Sequence, residues 1–114
     1  MLAPSVSRVA IGLRVEHRHG LSLDQSRERL RALGDYFQNK HKIAVHWSGE
    51  DALSLQGKYA MFSFKADVTL KEGVIAVEAP DPGMLLRNKA REYLEGKLKK
   101  YLDPGVPVDT LPRG

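Results

Sequence analysis

From Arg8 to His17 the chain alternates. Val9, Ile11, Leu13 and Val15 are separated by Arg8, Ala10, Gly12, Arg14 and Glu16. This period of two predicts a strand with one buried and one wet face, because successive side chains of extended backbone point to opposite sides. Gly20, at the end of His17-Arg18-His19-Gly20, breaks it. The spacing then becomes helical. Leu23, Leu30, Leu33 and Phe37 fall on one stripe, with Arg27, Glu28, Arg31, Asp35 and Gln38 opposite. Ser22 and Gln25 have the spacing of a capping box, and Asp24 complements the dipole of the first turn. The helix is predicted to end near Lys40 or His41.

Alternation resumes at Ile43, Val45 and Trp47, a second strand, followed by a Ser48-Gly49-Glu50-Asp51 turn. Leu53 and Leu55 predict a short third strand ending at Gly57. In the fourth, Phe62, Phe64, Ala66, Val68 and Leu70 face one way and Ser63, Lys65, Asp67, Thr69 and Lys71 the other. Glu72-Gly73 reads as a hairpin turn into a fifth strand holding Ile75, Val77 and Ala79. Pro80-Asp81-Pro82-Gly83 stops the sheet. Asp81 is expected to cap the last helix, with Pro82 in its first position, where a missing N–H costs nothing. Leu86, Ala90, Leu94, Leu98 and Leu102 recur along that helix, and Tyr93 and Tyr101 widen the stripe.

The expected architecture is an α+β two-layer sandwich in the order β-α-β-β-β-β-α. A mainly antiparallel sheet carries both amphipathic helices on its apolar face. Residues 1–7 are expected to form a flexible N-terminus, 8–103 a single domain, and the proline-rich segment 104–114 a flexible tail. Ile11, Leu13, Leu30, Phe37, Phe64, Val68, Val77, Leu94 and Leu98 are the expected core.

Composition adds limits. At 42% hydrophobic and 28% charged residues the chain is ordinary globular material. With no cysteine it has no disulfide framework, no thiolate nucleophile and no cysteine-ligated zinc. No window is apolar enough to span a membrane, and the N-terminus lacks the pattern of a secretory leader. The expectation is a soluble cytoplasmic protein.

The four histidines do not make a metal site by spacing. His17 and His19 share a strand end, His41 ends a helix and His46 lies on another strand, with no telling acidic partner. Asp67 and Glu78, on neighbouring strands, fall on the wet face, where pairing with Lys65 or Arg14 is the expected role. Glycines never group into a phosphate loop, and no nucleophile elbow or metalloprotease signature occurs. No catalytic residue, cofactor or metal ligand is therefore expected, and the chain is read as a non-enzyme.

Charge is more informative. Residues 84–102 hold six basic side chains (Arg87, Lys89, Arg91, Lys97, Lys99 and Lys100) and two acidic ones (Glu92 and Glu95). That excess equals the net +4 of the whole chain. A basic amphipathic helix can lie on an anionic surface or follow phosphates. The bland alternative is a solvated face with lysines favoured near the helix end. On the sheet's wet face little accompanies the charge beyond the aromatic Tyr59 and the thioether of Met61, which weakens an RNA-stacking reading.

The run His19-Gly20-Leu21-Ser22-Leu23 opens an arginine-rich helix. Trp47-Ser48-Gly49-Glu50-Asp51-Ala52-Leu53, then alternating strands, then a Lys-rich helix ending Tyr101-Leu102-Asp103 complete the pattern. Over residues 9–103 this resembles the putative polyhydroxyalkanoic acid system proteins. It departs from that pattern at Asp81-Pro82-Gly83, where fewer prolines are expected. The resemblance implies association with bacterial polyester granules or regulation of that system, through a granule surface or a granule-associated protein. It implies no catalytic residues. On this reading Leu85, Arg87, Arg91, Lys97 and Lys100 form the partner-binding face of the last helix, and a homodimer is a further partner to consider. The competing reading is a small basic nucleic-acid or ribosome-binding domain, since the element order also resembles ribosome hibernation factors. A ligand cavity between sheet and last helix is a third.

Overall fold

The computed structural model of the chain describes residues 12–59 and 62–114, without the side chains of Tyr59, Phe62 and Phe64. The elements are β1 (Leu13–Arg18), α1 (Leu23–His41), β2 (Ala44–Trp47), β3 (Ala52–Tyr59), β4 (Phe62–Lys71), β5 (Val74–Ala79) and α2 (Met84–Tyr101). A short 3-10 turn at Val108–Thr110 follows. The fold is α+β in the expected order. The five strands lie in the order β1-β5-β4-β3-β2, every neighbouring pair antiparallel. Strands β2 to β5 pair in chain order as a meander, and α1 carries the chain from the β1 edge to the β2 edge.

Register explains the burial. Leu53 faces Val68, Val68 faces Val77 and Val77 faces Val15, so one row of apolar side chains crosses four strands on one face. Leu30, Leu33 and Phe37 of α1 and Leu98, Tyr101 and Leu102 of α2 close over that face. Of the expected core, Leu13, Leu30, Phe37, Val68, Val77 and Leu98 are buried and Leu94 is half-buried. Ile11, the 8–11 part of the first strand and the side chain of Phe64 lie outside the described residues.

Local signals act as anticipated around α1. Ser22 accepts from the Gln25 N–H at 3.2 Å, and Gln25 returns the bond to the Ser22 N–H at 3.0 Å. Lys42 closes the helix in the left-handed region at φ 58°. Gly73, at φ 78°, makes the tight β4–β5 turn.

Two expectations are corrected. Strand β3 does not end at Gly57 but runs on to Tyr59, because β4 pairs with it residue for residue through Gly57↔Phe64 and Tyr59↔Phe62. Segment 104–114, expected as a flexible tail, packs back on α1. Leu111 is buried in the core, Val106 and Val108 lie against it, and Arg113 pairs with Asp35. A proline-rich sequence without periodicity lacks regular structure, yet its apolar residues still find a surface.

Candidate functional site

Helix α2 starts later than its sequence indicates. Its N-cap is Gly83, at φ 100°, with no side-chain cap, and Pro82 lies outside the helix. Asp81 instead accepts from the Gly83 N–H at 2.9 Å and pairs with Arg87. Arg87, and then the Gly83 N–H, hold the Asp81 carboxyl below the usual carboxylate range. The cause of the late start is close backbone contact. A Cβ on Gly12 would fall 2.2 Å from Asp81 Cβ, so 80–83 runs tightly against the start of β1 before the chain turns. The first turn is left bare. Met84 is 81% exposed and Leu85 90%.

The basic residues expected on an outer face separate into two groups. Arg87 is neutralised by Asp81. Arg91 donates to the main-chain carbonyl of Arg14 on β1 at 3.0 Å. Lys97 is half-buried, its Nζ 4.1 Å from the centre of the Tyr36 ring on α1. Arg91 and Lys97 tie α2 to β1 and α1, and Arg87 ties it to the loop that precedes it. Lys100 and Leu85 point outward, beside Lys89 and Lys99. With Glu92 and Glu95 on the same side, the outer face carries a net charge of only +1. Sequence counting missed this because it cannot separate cations that face solvent from cations spent on internal partners.

Lys97 belongs to a cluster at the α1–α2 seam. The Tyr36 ring lies 5.4 Å from His41 and 6.1 Å from Tyr101, and the Tyr93 hydroxyl sits 3.3 Å from His41 Nε2. The hydroxyls are pushed in opposite directions. Lys97 draws Tyr36 below the usual tyrosine range, whereas burial, then Tyr36 itself, pushes Tyr93 up to about 12. Burial likewise takes Tyr101 to about 12. Its hydroxyl donates to the Pro112 carbonyl. The cluster packs two helices and stabilises a cation over a ring.

Other polar groups that drew attention in the sequence have partners within the fold. Asp67 and Glu78 are directly opposed on β4 and β5, but Glu78 pairs with Arg14, and Asp67 accepts from Ser54 at 2.9 Å. His19 Nδ1 accepts from the Leu21 N–H at 3.2 Å, which puts the proton of the neutral ring on Nε2. Among the described residues no three His, Cys, Asp or Glu side chains come together as a metal site. Sequence reading also missed Arg29. It is only 7% exposed although charged, and it lies at helical spacing with the buried Ser26 and Leu33. That spacing was the available signal.

The family comparison rests on this same span, from the first residue of β1 through both helices into the packed tail. The profile of the putative polyhydroxyalkanoic acid system proteins matches residues 13–105. The chain belongs to that family. No match was found among curated proteins or solved structures. The matched span covers all five strands and both α-helices of the described residues, and residues 1–12 and 106–114 fall outside it. Among the described residues, no helix is long and apolar enough to cross a membrane.

Proposed function

We propose that this polyhydroxyalkanoic acid system protein is a non-enzymatic component that docks on the storage granule, or on a protein coating it, through the outer face of α2. The observation that carries the reading is the bare first turn. Met84 and Leu85 are the two most exposed large apolar side chains among the described residues, and they head a helix whose free lysines, Lys89, Lys99 and Lys100, follow on the same side. Such a helix buries apolar side chains in an interface while its cations attract an anionic one. Family membership supplies the granule as the surface. The near-neutral outer face makes apolar contact the larger contributor, so attachment should depend little on salt.

The test is co-sedimentation with isolated polyester granules at low and moderate salt. Wild type should pellet at both. Met84→Ser with Leu85→Asp should stay in the supernatant, and Lys99→Glu with Lys100→Glu should lose binding only partly. Equal recovery of all three in the supernatant would remove the reading. Retention on RNA or ribosomes that raised salt abolishes would favour nucleic-acid binding instead.

A further inference from the structure

A sheet of five strands has two edges, and this one guards them unequally. At β1, α2 packs against the strand and Arg91 donates to the outward carbonyl of Arg14. The other edge is β2, which among the described residues pairs with β3 alone. The Ser48 N–H bonds to the Ala52 carbonyl at 2.9 Å, in phase with the β2–β3 ladder. Ala44 and His46 therefore exchange bonds with β3, and Val45 and Trp47 present their N–H and C=O outward. An open depression of about 430 Å³, lined by Gln38, Lys42 and Ile43 with the β2 residues, runs along this edge. Trp47, at the end of the strand, is 43% exposed.

We propose that two copies of the chain associate by antiparallel pairing of their β2 strands, with His46 of each copy next to the two-fold axis. The sequence of the strand is complementary to itself in that register. Val45 of one copy opposes Trp47 of the other, twice, on the face that carries the helices. These two pairs form four backbone hydrogen bonds and set an aromatic ring against a β-branched side chain. Shifting the register to put Val45 opposite itself would call on the Ile43 N–H, which is already given to the Phe37 carbonyl at 3.2 Å. With one open edge per copy among the described residues, the assembly closes as a dimer rather than growing into a fibre. Four residues bury little area, which places the contact among concentration-dependent interfaces.

The absence of cysteine gives a clean test, since an introduced thiol is the only one present. Opposed residues of a non-hydrogen-bonded pair have Cα atoms about 4.5 Å apart, within disulfide reach. Full-length His46→Cys should form a covalent dimer under mild oxidation, roughly tenfold or more faster than Lys99→Cys on exposed α2. Wild type should show a concentration-dependent dimer in sedimentation from low to high micromolar protein. Trp47→Lys should sediment as a monomer with an unchanged far-ultraviolet spectrum. A wild type that stays monomeric throughout, or a His46→Cys variant that links no faster than Lys99→Cys, overturns the proposal.

Discussion

Arg29, on the second turn of α1, donates to the main-chain carbonyl of Tyr101, 72 residues further along the chain, at 3.1 Å. The same guanidinium donates to the Asp103 carbonyl at 2.7 Å and to that of Val106. A helix end leaves its last carbonyls without partners, and a cation there also meets the negative end of the dipole. Arg29 therefore closes α2 from outside, and a planar fork of donors lets one side chain serve three carbonyls.

Replacing Arg29 by Met keeps much of the apolar stem and removes every donor. We expect destabilisation on the order of 3 kcal/mol, since unpaired buried carbonyls cost about 1–3 kcal/mol each. Arg29→Lys should recover only part of it, because an ammonium lacks the fork. Urea unfolding followed by far-ultraviolet circular dichroism measures both. Unfolding midpoints equal to wild type would show that water replaces the guanidinium at no cost.

The packed tail makes a related claim. Leu111 is buried, and the Tyr101 hydroxyl and Asn39 side chain bond to the carbonyls of Pro112 and Arg113. Leu111→Ala should cost about 2–5 kcal/mol, the range for a leucine removed from a core. It should also open 104–114 to proteases, read as early cleavage with the body intact. A thermal midpoint and cleavage rate matching wild type would mean the tail is not part of the fold.

The regular elements were legible from residue pattern because their signals are local. Alternation in β1 and β4, the Ser22–Gln25 box and the Glu72-Gly73 turn each lie within a few residues of what they determine. The misreadings all depend on distant neighbours. Gly57 breaks a strand in isolation but not beside β4. Asp81 is a good capping residue until Gly12 and Arg87 claim it. Of the five residues assigned to a docking face, Leu85 and Lys100 are where the helical period puts them, outside. Arg87, Arg91 and Lys97 lie on the flanks of the buried stripe, where only the partners on β1, α1 and Asp81 decide which way the charge goes.

His19 makes a pH prediction. Burial first, and then His17, lower its pKa from the ordinary 6.5, and its Nδ1 already accepts the Leu21 N–H. The unfolded chain therefore binds the proton more tightly than the fold does. The sign follows: His19 contributes stability that is fully present above about pH 6.5 and is lost as pH falls from there through the lower folded value. His19→Asn can still accept from Leu21 but does not titrate. Thermal midpoints measured from pH 7.5 to about 5 should fall less for the variant than for wild type. Parallel curves would show that the ring protonates without penalty.

The final prediction concerns Lys97, whose ammonium lies over Tyr36 while its charge was expected to face a partner. If the ion and the ring interact as the geometry indicates, Tyr36 ionises before Tyr93 and Tyr101, because the cation favours its phenolate while burial opposes theirs. In a Tyr59→Phe background, which leaves these three as the only tyrosines, an alkaline titration followed by phenolate absorbance should show an early step below the ordinary value of 10.0 and steps near 12. Lys97→Met fills similar space without charge and should move the early step upward, leaving the later ones in place. Lys97→Glu should move it further and also loosen the α1–α2 seam. For the same reason, weakened granule attachment in a Lys97 variant would confuse packing with docking, and Lys99 and Lys100 are the informative positions. An early step that stays in place when Lys97 becomes Met would assign the low pKa of Tyr36 to another source and free Lys97 for the outer face.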